Sequence, residues 1–213
     1  MHEILAGILS GESSPDEALG IFMEEFDAQC YAAVPVRVRD DTYSKMLNFL
    51  ASYDPSLILG YEILGVERRF LFKVGGYPFQ GIVDLLLRGK DGRIILVDHK
   101  SSRYPLLKSG KIAKASAGDF LSHKRQMYLY STGIRNTYGR FPDILAWNHF
   151  KDNQSVAIPF SDKEYEQSVQ WALDTIGAIQ SDTQFSERKS FFYCNHLCEY
   201  RNTCEYRKEG DEE

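Results

Sequence analysis

Gly81-Ile82-Val83-Asp84-Leu85-Leu86-Leu87-Arg88, a turn through Asp91-Gly92, then Ile94-Ile95-Leu96-Val97-Asp98-His99-Lys100: this segment sets the architecture. Each apolar run has the length of a strand, and Asp-Gly between two such runs is a turn signal. Ile94 to Val97 is apolar at successive positions, so both faces must be covered, as in the centre of a sheet with helices on either side. Alternate side chains of a strand share a face, so Asp98 and Lys100 point the same way from the end of a buried strand. Asp84 has apolar neighbours on both sides, and a lone carboxylate there is costly to bury. Two acids brought together are explained by a divalent cation, and hard ions such as Mg²⁺ or Mn²⁺ take oxygen ligands. The plain alternative is a strand-end salt bridge between Asp98 and Lys100, with Asp84 at an exposed edge.

On the N-terminal side, residues 61–74 and 79–88 flank the turn Gly75-Gly76 and predict a first hairpin. Residues 141–150 and 155–160 read as two further strands. Helices are expected over residues 1–9, from Pro15 to about Ala32, from Asp40 to Tyr53, from Gly118 to Ile134, and from Asp162 to Ile179. Ser161 and Glu164 form a capping-box pattern at the start of the last helix. Residues 101–117 read as a loop. This order predicts an α/β protein with a mixed central sheet flanked by helices. Residues 1–180 are expected to form one domain. Residues 181–213 are expected to be a Cys-rich segment packed on it, with its acidic end disordered.

The chain has 213 residues, 43% hydrophobic and 26% charged, a balance that excludes disorder for its bulk. No apolar run approaches the ~20 residues of a membrane span. Met1 to Leu9 shows no secretory signal, so a cytoplasmic location is expected. The chain opens directly on a helix without a capping residue, and upstream sequence is expected to be missing. The net charge of -5 is unevenly spread. Residues 1–30 carry seven acids and no Lys or Arg, whereas Lys100, Arg103, Lys108, Lys111, Lys114, Lys124 and Arg125 face Asp119 alone over residues 100–125. One basic segment on an acidic protein suits a local polyanionic ligand, or is a solvated loop.

Gln126 and Tyr130 are four apart on a predicted helix and share a face, with Lys124 and Arg125 just before them. An amide, a phenol and nearby cations suit a phosphate backbone. Near the C-terminus, Cys194, Cys198 and Cys204 lie among Phe191, Phe192, Tyr193, Tyr200 and Tyr206. Without a secretory signal a disulfide framework is not expected, and a metal or cluster site is the sharper reading. Buried free thiols, or a zinc knuckle completed by His196, stay open beside it.

Taken in order, Gly81-x-x-Asp84, Asp98-x-Lys100 and Gln126-x-x-x-Tyr130 resemble the PD-(D/E)XK nuclease superfamily in its RecB-like branch. That branch includes the nuclease domains of RecB- and AddB-type helicase–nucleases, CRISPR-associated RecB-like exonucleases and phage-encoded relatives. His2-Glu3 before Ile4-Leu5 resembles the branch's His-Glu helix. Glu67 resembles an acidic position on the strand before the first catalytic Asp. The resemblance covers about residues 1–204. It implies a restriction-endonuclease-like core and a metal-dependent DNA nuclease, with exonuclease action in recombination, repair or phage DNA processing. It implies catalytic roles for Asp84, Asp98, Lys100, Gln126 and Tyr130. His2, Asp84, Asp98 and the backbone carbonyl of His99 would hold Mg²⁺ or Mn²⁺, with Glu67 in a supporting or metal-linked role. The side chain of His99 is expected on the opposite face.

DNA contacts are assigned to Lys108, Lys111, Lys114, Lys124 and Arg125. The branch also implies a [4Fe–4S] cluster held by Cys194, Cys198, Cys204 and a Cys upstream of the His-Glu helix. This sequence begins at that helix, and Cys30 lies downstream in what reads as an ordinary helix. No Gly-x4-Gly-Lys-Ser/Thr phosphate loop occurs, so a helicase or recombination protein would be a separate partner. Two other readings are an inactive DNA-binding module of the same fold and a zinc-stabilised interaction protein.

Overall fold

The computed structural model describes all residues except 30–33, 59, 102–111, 152, 185–192 and 205–213. Cys30, Lys108, Lys111 and the acidic end Glu209 to Glu213 therefore lie outside the described residues. The elements are α1 (His2–Ser10), α2 (Pro15–Gln29), α3 (Val36–Ala51), β1 (Glu62–Val74), β2 (Tyr77–Arg88), β3 (Ile94–Lys100), α4 (Ala117–Tyr138), β4 (Ile144–His149), β5 (Gln154–Pro159) and α5 (Asp162–Ser181).

Local chemistry sets most boundaries. Gly11 ends α1 in the left-handed conformation at φ 77°, which costs glycine little. At the start of α2, Glu17 N donates to Ser14 Oγ at 3.3 Å and Ser14 N donates to Glu17 Oε2 at 2.8 Å. This is a reciprocal capping box, with Pro15 at the first helical position. At α5 the predicted Ser161 cap is present, with Glu164 N donating to Ser161 Oγ at 3.4 Å, but the Glu164 carboxylate accepts from Lys124 and Tyr128 and does not complete the box. The third helix begins at Val36, not Asp40, because Pro35 at the cap position precedes it with φ -54°.

The sheet order is β1-β2-β3-β4-β5. All neighbours are antiparallel except β3 and β4, which are parallel and joined through α4. Two cores cover the two faces. On one, Phe70, Phe72, Val83, Leu86, Ile94, Leu96, Leu145 and Trp147 pack with Met127, Tyr128 and Ile134 of α4 and Ala172 of α5. On the other, Leu85 and Leu87 pack with Leu5, Ile8 and Leu9 of α1, Phe22 of α2, and Phe49 and Leu50 of α3. Ile95 and Val97 lie against this second core, so β3 is covered on both sides as its sequence requires. The fold is an α/β sandwich with a mixed central sheet, consistent with a restriction-endonuclease-like core.

The first hairpin departs from simple strand logic. Val83 and Leu86 face the α4–α5 core, but Leu85 and Leu87 face the α1–α3 core. Strict alternation would put residues 83 and 85 together. The reversal falls at Asp84, and β1 reverses with it. The pairs Val66↔Leu85 and Arg68↔Val83 bracket Glu67 and Asp84, which do not pair. Glu67 has φ 45°, a conformation that costs a non-glycine residue about 1–3 kcal/mol. Both strands of the β1–β2 hairpin thus change faces where the two acids sit, and β1 alone carries a second irregularity between Ile63 and Gly65.

At the C-terminal end, Tyr193–Leu197 and Glu199–Asn202 form two short helical turns. Among the described residues no helix is long and apolar enough to cross a membrane.

Candidate metal-binding cleft

An open cleft of about 790 Å³ lies where the pairing of β2 with β3 ends, beside α1 and α4. His2, Glu67, Asp84, Asp98, Lys100, Gln126 and Tyr130 all line it. Leu85↔Val97 is the last pair of the β2–β3 ladder. Asp84 and Asp98 are thus the next residue on each strand, where the two chains part.

One wall is built by α1, β1 and β2. The first residue of α1 is His2, and its Nδ1 lies 3.4 Å from Asp84 Oδ2 and 3.7 Å from Glu67 Oε1. One ligand atom from each of His2, Glu67 and Asp84 falls within a 4.8 Å group. Asp84 Oδ2 also accepts the His99 backbone N–H at 2.6 Å. Burial works to raise the Asp84 carboxyl, but the His2 imidazole beside it and the hydrogen bond from the His99 backbone prevail and hold it below the usual carboxylate value. The Asp84 carboxylate beside it raises the His2 imidazole despite its partial burial. Burial, and then the charge of Asp84, push Glu67 upward.

The other wall is built by β3 and α4. Asp98 and Lys100 lie on one face, as alternation requires, and Lys100 Nζ is 2.9 Å from Asp98 Oδ2. Lys100 donates to Gln126 Oε1 at 3.1 Å, and Gln126 Nε2 donates to the Tyr130 hydroxyl at 2.9 Å. This series of bonds has a direction. Lysine can only donate, so the Gln126 oxygen faces it and the amide nitrogen faces Tyr130. The Tyr130 oxygen accepts from Gln126, which leaves its own proton for an acceptor in the cleft. Tyr130 also lies close to Gly81, where a Cβ would come within 2.6 Å of its ring.

Asp98 is buried, and its Oδ2 has no hydrogen bond among the described residues despite the nearby ammonium. Burial pushes its carboxyl up to about 6, although Lys100 pulls the other way. A cation in the cleft would relieve that cost. The donors here are carboxylate oxygens and one imidazole, which suits Mg²⁺ or Mn²⁺. The residues therefore fit a divalent metal. Glu67, expected in a supporting or metal-linked role, stands inside the group of ligand atoms, whereas Asp98, expected among the ligands, lines the same cleft outside that group with its Oδ2 against Lys100. Periodicity does not mark Glu67, because its position depends on the reversal in β1.

His99 turns away from Lys100. Its Nδ1 meets Asn148 Nδ2 at 3.1 Å, its ring lies 6.1 Å from that of His2, and burial lowers its pKa to about 4. Two residues assigned to DNA face elsewhere. Lys124 bonds Glu164 on α5 at 2.5 Å, and Arg125 stacks over Trp171 of α5 at 4.4 Å. Lys114 is exposed just before α4.

Among the described residues nothing supports the expected iron–sulfur cluster. Cys194, Cys198 and Cys204 are free thiols. Among the described residues, His2, Glu67 and Asp84 are the one group of three or more His, Cys, Asp or Glu ligand atoms within 4.8 Å. The three sulfurs are thus not gathered, and no distinct Cys-rich tail stands out.

Comparison with known proteins gives a family and a loose likeness of fold. A provisionally named exonuclease from Eubacterium rectale is similar with a TM-score of 0.46 and 9% identity, over 94% of this chain and 78% of that one. The protein SSO0001 is similar with a TM-score of 0.37 and 18% identity, over 90% of this chain and 95% of that one. No curated protein matches. The family model of the PD-(D/E)XK nuclease superfamily matches residues 1–205, nearly the whole length, and the chain belongs to that superfamily.

Proposed function

We propose that the protein is a divalent-metal-dependent DNA nuclease that hydrolyses phosphodiester bonds. We place it in the RecB-like branch, as an exonuclease acting on DNA ends in recombination, repair or phage DNA processing. The observation that carries the reading is one cleft lined by His2, Glu67 and Asp84 on one side and by Asp98, Lys100, Gln126 and Tyr130 on the other. The branch is supported by the order of His2-Glu3, Asp84, Asp98-x-Lys100 and Gln126-x-x-x-Tyr130.

In this reading His2, Glu67, Asp84, Asp98 and the His99 carbonyl hold Mg²⁺ or Mn²⁺. When bound, such an ion polarises a phosphoryl oxygen and makes hydroxide available near neutral pH. Lys100 has three N–H donors. Gln126 accepts one and the ammonium lies 2.9 Å from Asp98 Oδ2, which leaves a donor for an attacking water or a phosphate oxygen. Lys100 also supplies positive charge where the transition state gains negative charge. Gln126 orients the ammonium and the phenol together, so that the Tyr130 hydroxyl donates to a non-bridging phosphate oxygen.

The test is digestion of end-labelled single- and double-stranded DNA with Mg²⁺ or Mn²⁺. Metal-dependent loss of substrate, abolished by Asp98→Ala and by Lys100→Ala, supports the reading. Binding without cleavage under all metals would make the protein an inactive DNA-binding relative and reject the nuclease.

A further inference from the structure

The β1–β2 hairpin has a bare face. Beyond the reversal, Phe70, Phe72, Val74 and Val83 are buried against the α4–α5 core. Their neighbours Arg69, Leu71, Lys73, Gln80 and Ile82 are exposed on the other side, with Leu71 75% and Ile82 40% exposed. The α1–α3 core reaches Val66 and Leu85 on these strands, so it covers the sheet up to the reversal. Cross-strand register sets Arg69 opposite Ile82 and Leu71 opposite Gln80, which makes one contiguous patch.

The patch runs into the cleft. Ile82 lines the cleft with Asp84, two residues further along the same strand. From Pro78 to Asp84 the strand spans ~20 Å at ~3.4 Å per residue. Charge differs between the cleft and the hairpin face that runs into it. Glu3 and Glu12 line the cleft from the α1 side, whereas Arg69 and Lys73 stand on the hairpin. Among the described residues neither cation has an ion-pair partner.

We propose that this face binds a nucleic-acid strand and leads it to the metal cleft, a reading that rests on the nuclease proposal. The two cations meet phosphates, Gln80 supplies a neutral hydrogen-bonding group, and Leu71 and Ile82 offer apolar contact to sugars or bases. A second copy of the chain is a poor occupant, because a two-fold contact sets the cations of one copy against those of the other.

The test is binding of a fluorescein-labelled, twenty-nucleotide single strand to the full chain in EDTA, over a series of salt concentrations. The Arg69→Gln/Lys73→Gln double variant is expected to bind at least tenfold more weakly. Its plot of log affinity against log salt should be shallower by about 1.4, for two single-strand phosphate contacts at ~0.7 each. Unchanged affinity and slope in a variant with the wild-type melting temperature overturn the proposal. Should the double variant not fold, Gln80→Lys adds a cation to the same face and is expected to steepen the slope by about 0.7; no change overturns the proposal. A wild-type dimer that Leu71→Glu converts to monomer with DNA binding intact would also overturn it, making the face a self-contact. Failure of the nuclease reading is distinguishable from failure of this one. If wild type digests DNA while these variants bind as it does, only the hairpin assignment fails; if wild type neither binds nor digests DNA, both fail.

Discussion

The two walls of the cleft are built to different degrees of completion. On the β3–α4 wall, Asp98, Lys100, Gln126 and Tyr130 contact one another in series at 2.9–3.1 Å. On the α1–β1–β2 wall, His2 stands 3.4 Å and 3.7 Å from two acids, separations longer than ordinary hydrogen bonds. The first wall is set before any guest arrives. The second holds one ligand atom each of His2, Glu67 and Asp84 near the others, with His2 tightly bonded to neither acid. Preorganised donors serve where charge develops in a transition state, and loosely bonded ligands serve where an ion must enter and be held.

The largest expected effect tests this division directly. Lys100→Ala should lower DNA hydrolysis on the order of 10²–10³-fold, and raising Mn²⁺ should not restore it. His2→Ala or Glu67→Ala should instead weaken Mn²⁺ half-saturation by about 10- to 100-fold, with hydrolysis recovered at high metal. Metal titrations of the activity separate the two. If Lys100→Ala were rescued by metal, or His2→Ala were not, the walls would not differ as described.

Gly81→Ala probes the joint between the walls. The new methyl meets the Tyr130 ring at 2.6 Å, so about 1–3 kcal/mol of stability should be lost, read as a fall in melting temperature. A melting temperature equal to wild type would show that Tyr130 is not pinned against β2.

The smallest effect lies behind the set wall, where Glu164 ties α4 to α5. Burial works to raise this carboxyl, but hydrogen bonds from Lys124 and Tyr128 hold it below its ordinary value of 4.5. A depressed carboxylate contributes stability above its unfolded pKa, and that contribution disappears as pH falls through the folded value. Glu164→Gln should therefore cost at most about 1 kcal/mol at pH 7 for this half-buried pair, read as a small fall in melting temperature. The difference should shrink below about pH 4. A gap that widens in acid would reverse the sign and reject the tie.

Much of the set wall is legible in the amino-acid order. Asp98 and Lys100 follow from alternation at the end of a strand buried on both sides, and Gln126 with Tyr130 follows from helical spacing. The same spacing shows why Lys124 faces α5. Two residues on a helix are ~200° apart, so Lys124 and Gln126 cannot both look into the cleft. The other wall is less legible. Motif resemblance points to Asp84 and His2, but the direction of Asp84 depends on a reversal that no periodicity shows. Glu67 owes its place to a positive φ, which side-chain chemistry at a glutamate does not announce. The start of α3 depends on Pro35 as a helix-opening residue, and the apolar pattern from Tyr43 onward does not reach back to it. Spacing suggests a cysteine cluster near the C-terminus, but spacing does not say whether sulfurs meet.

Glu67 and Asp84 have a consequence for how this site relates to its scaffold. Remove both in thought, and Val66 would adjoin Arg68 while Val83 adjoined Leu85. Every pair in the ladder would survive, and inward and outward side chains would alternate through this stretch, from Gly65 to Val74 and from Tyr77 to Leu87. The hairpin has no architectural need of either acid: they are a matched insertion, one per strand, and losing only one would throw the two strands out of step.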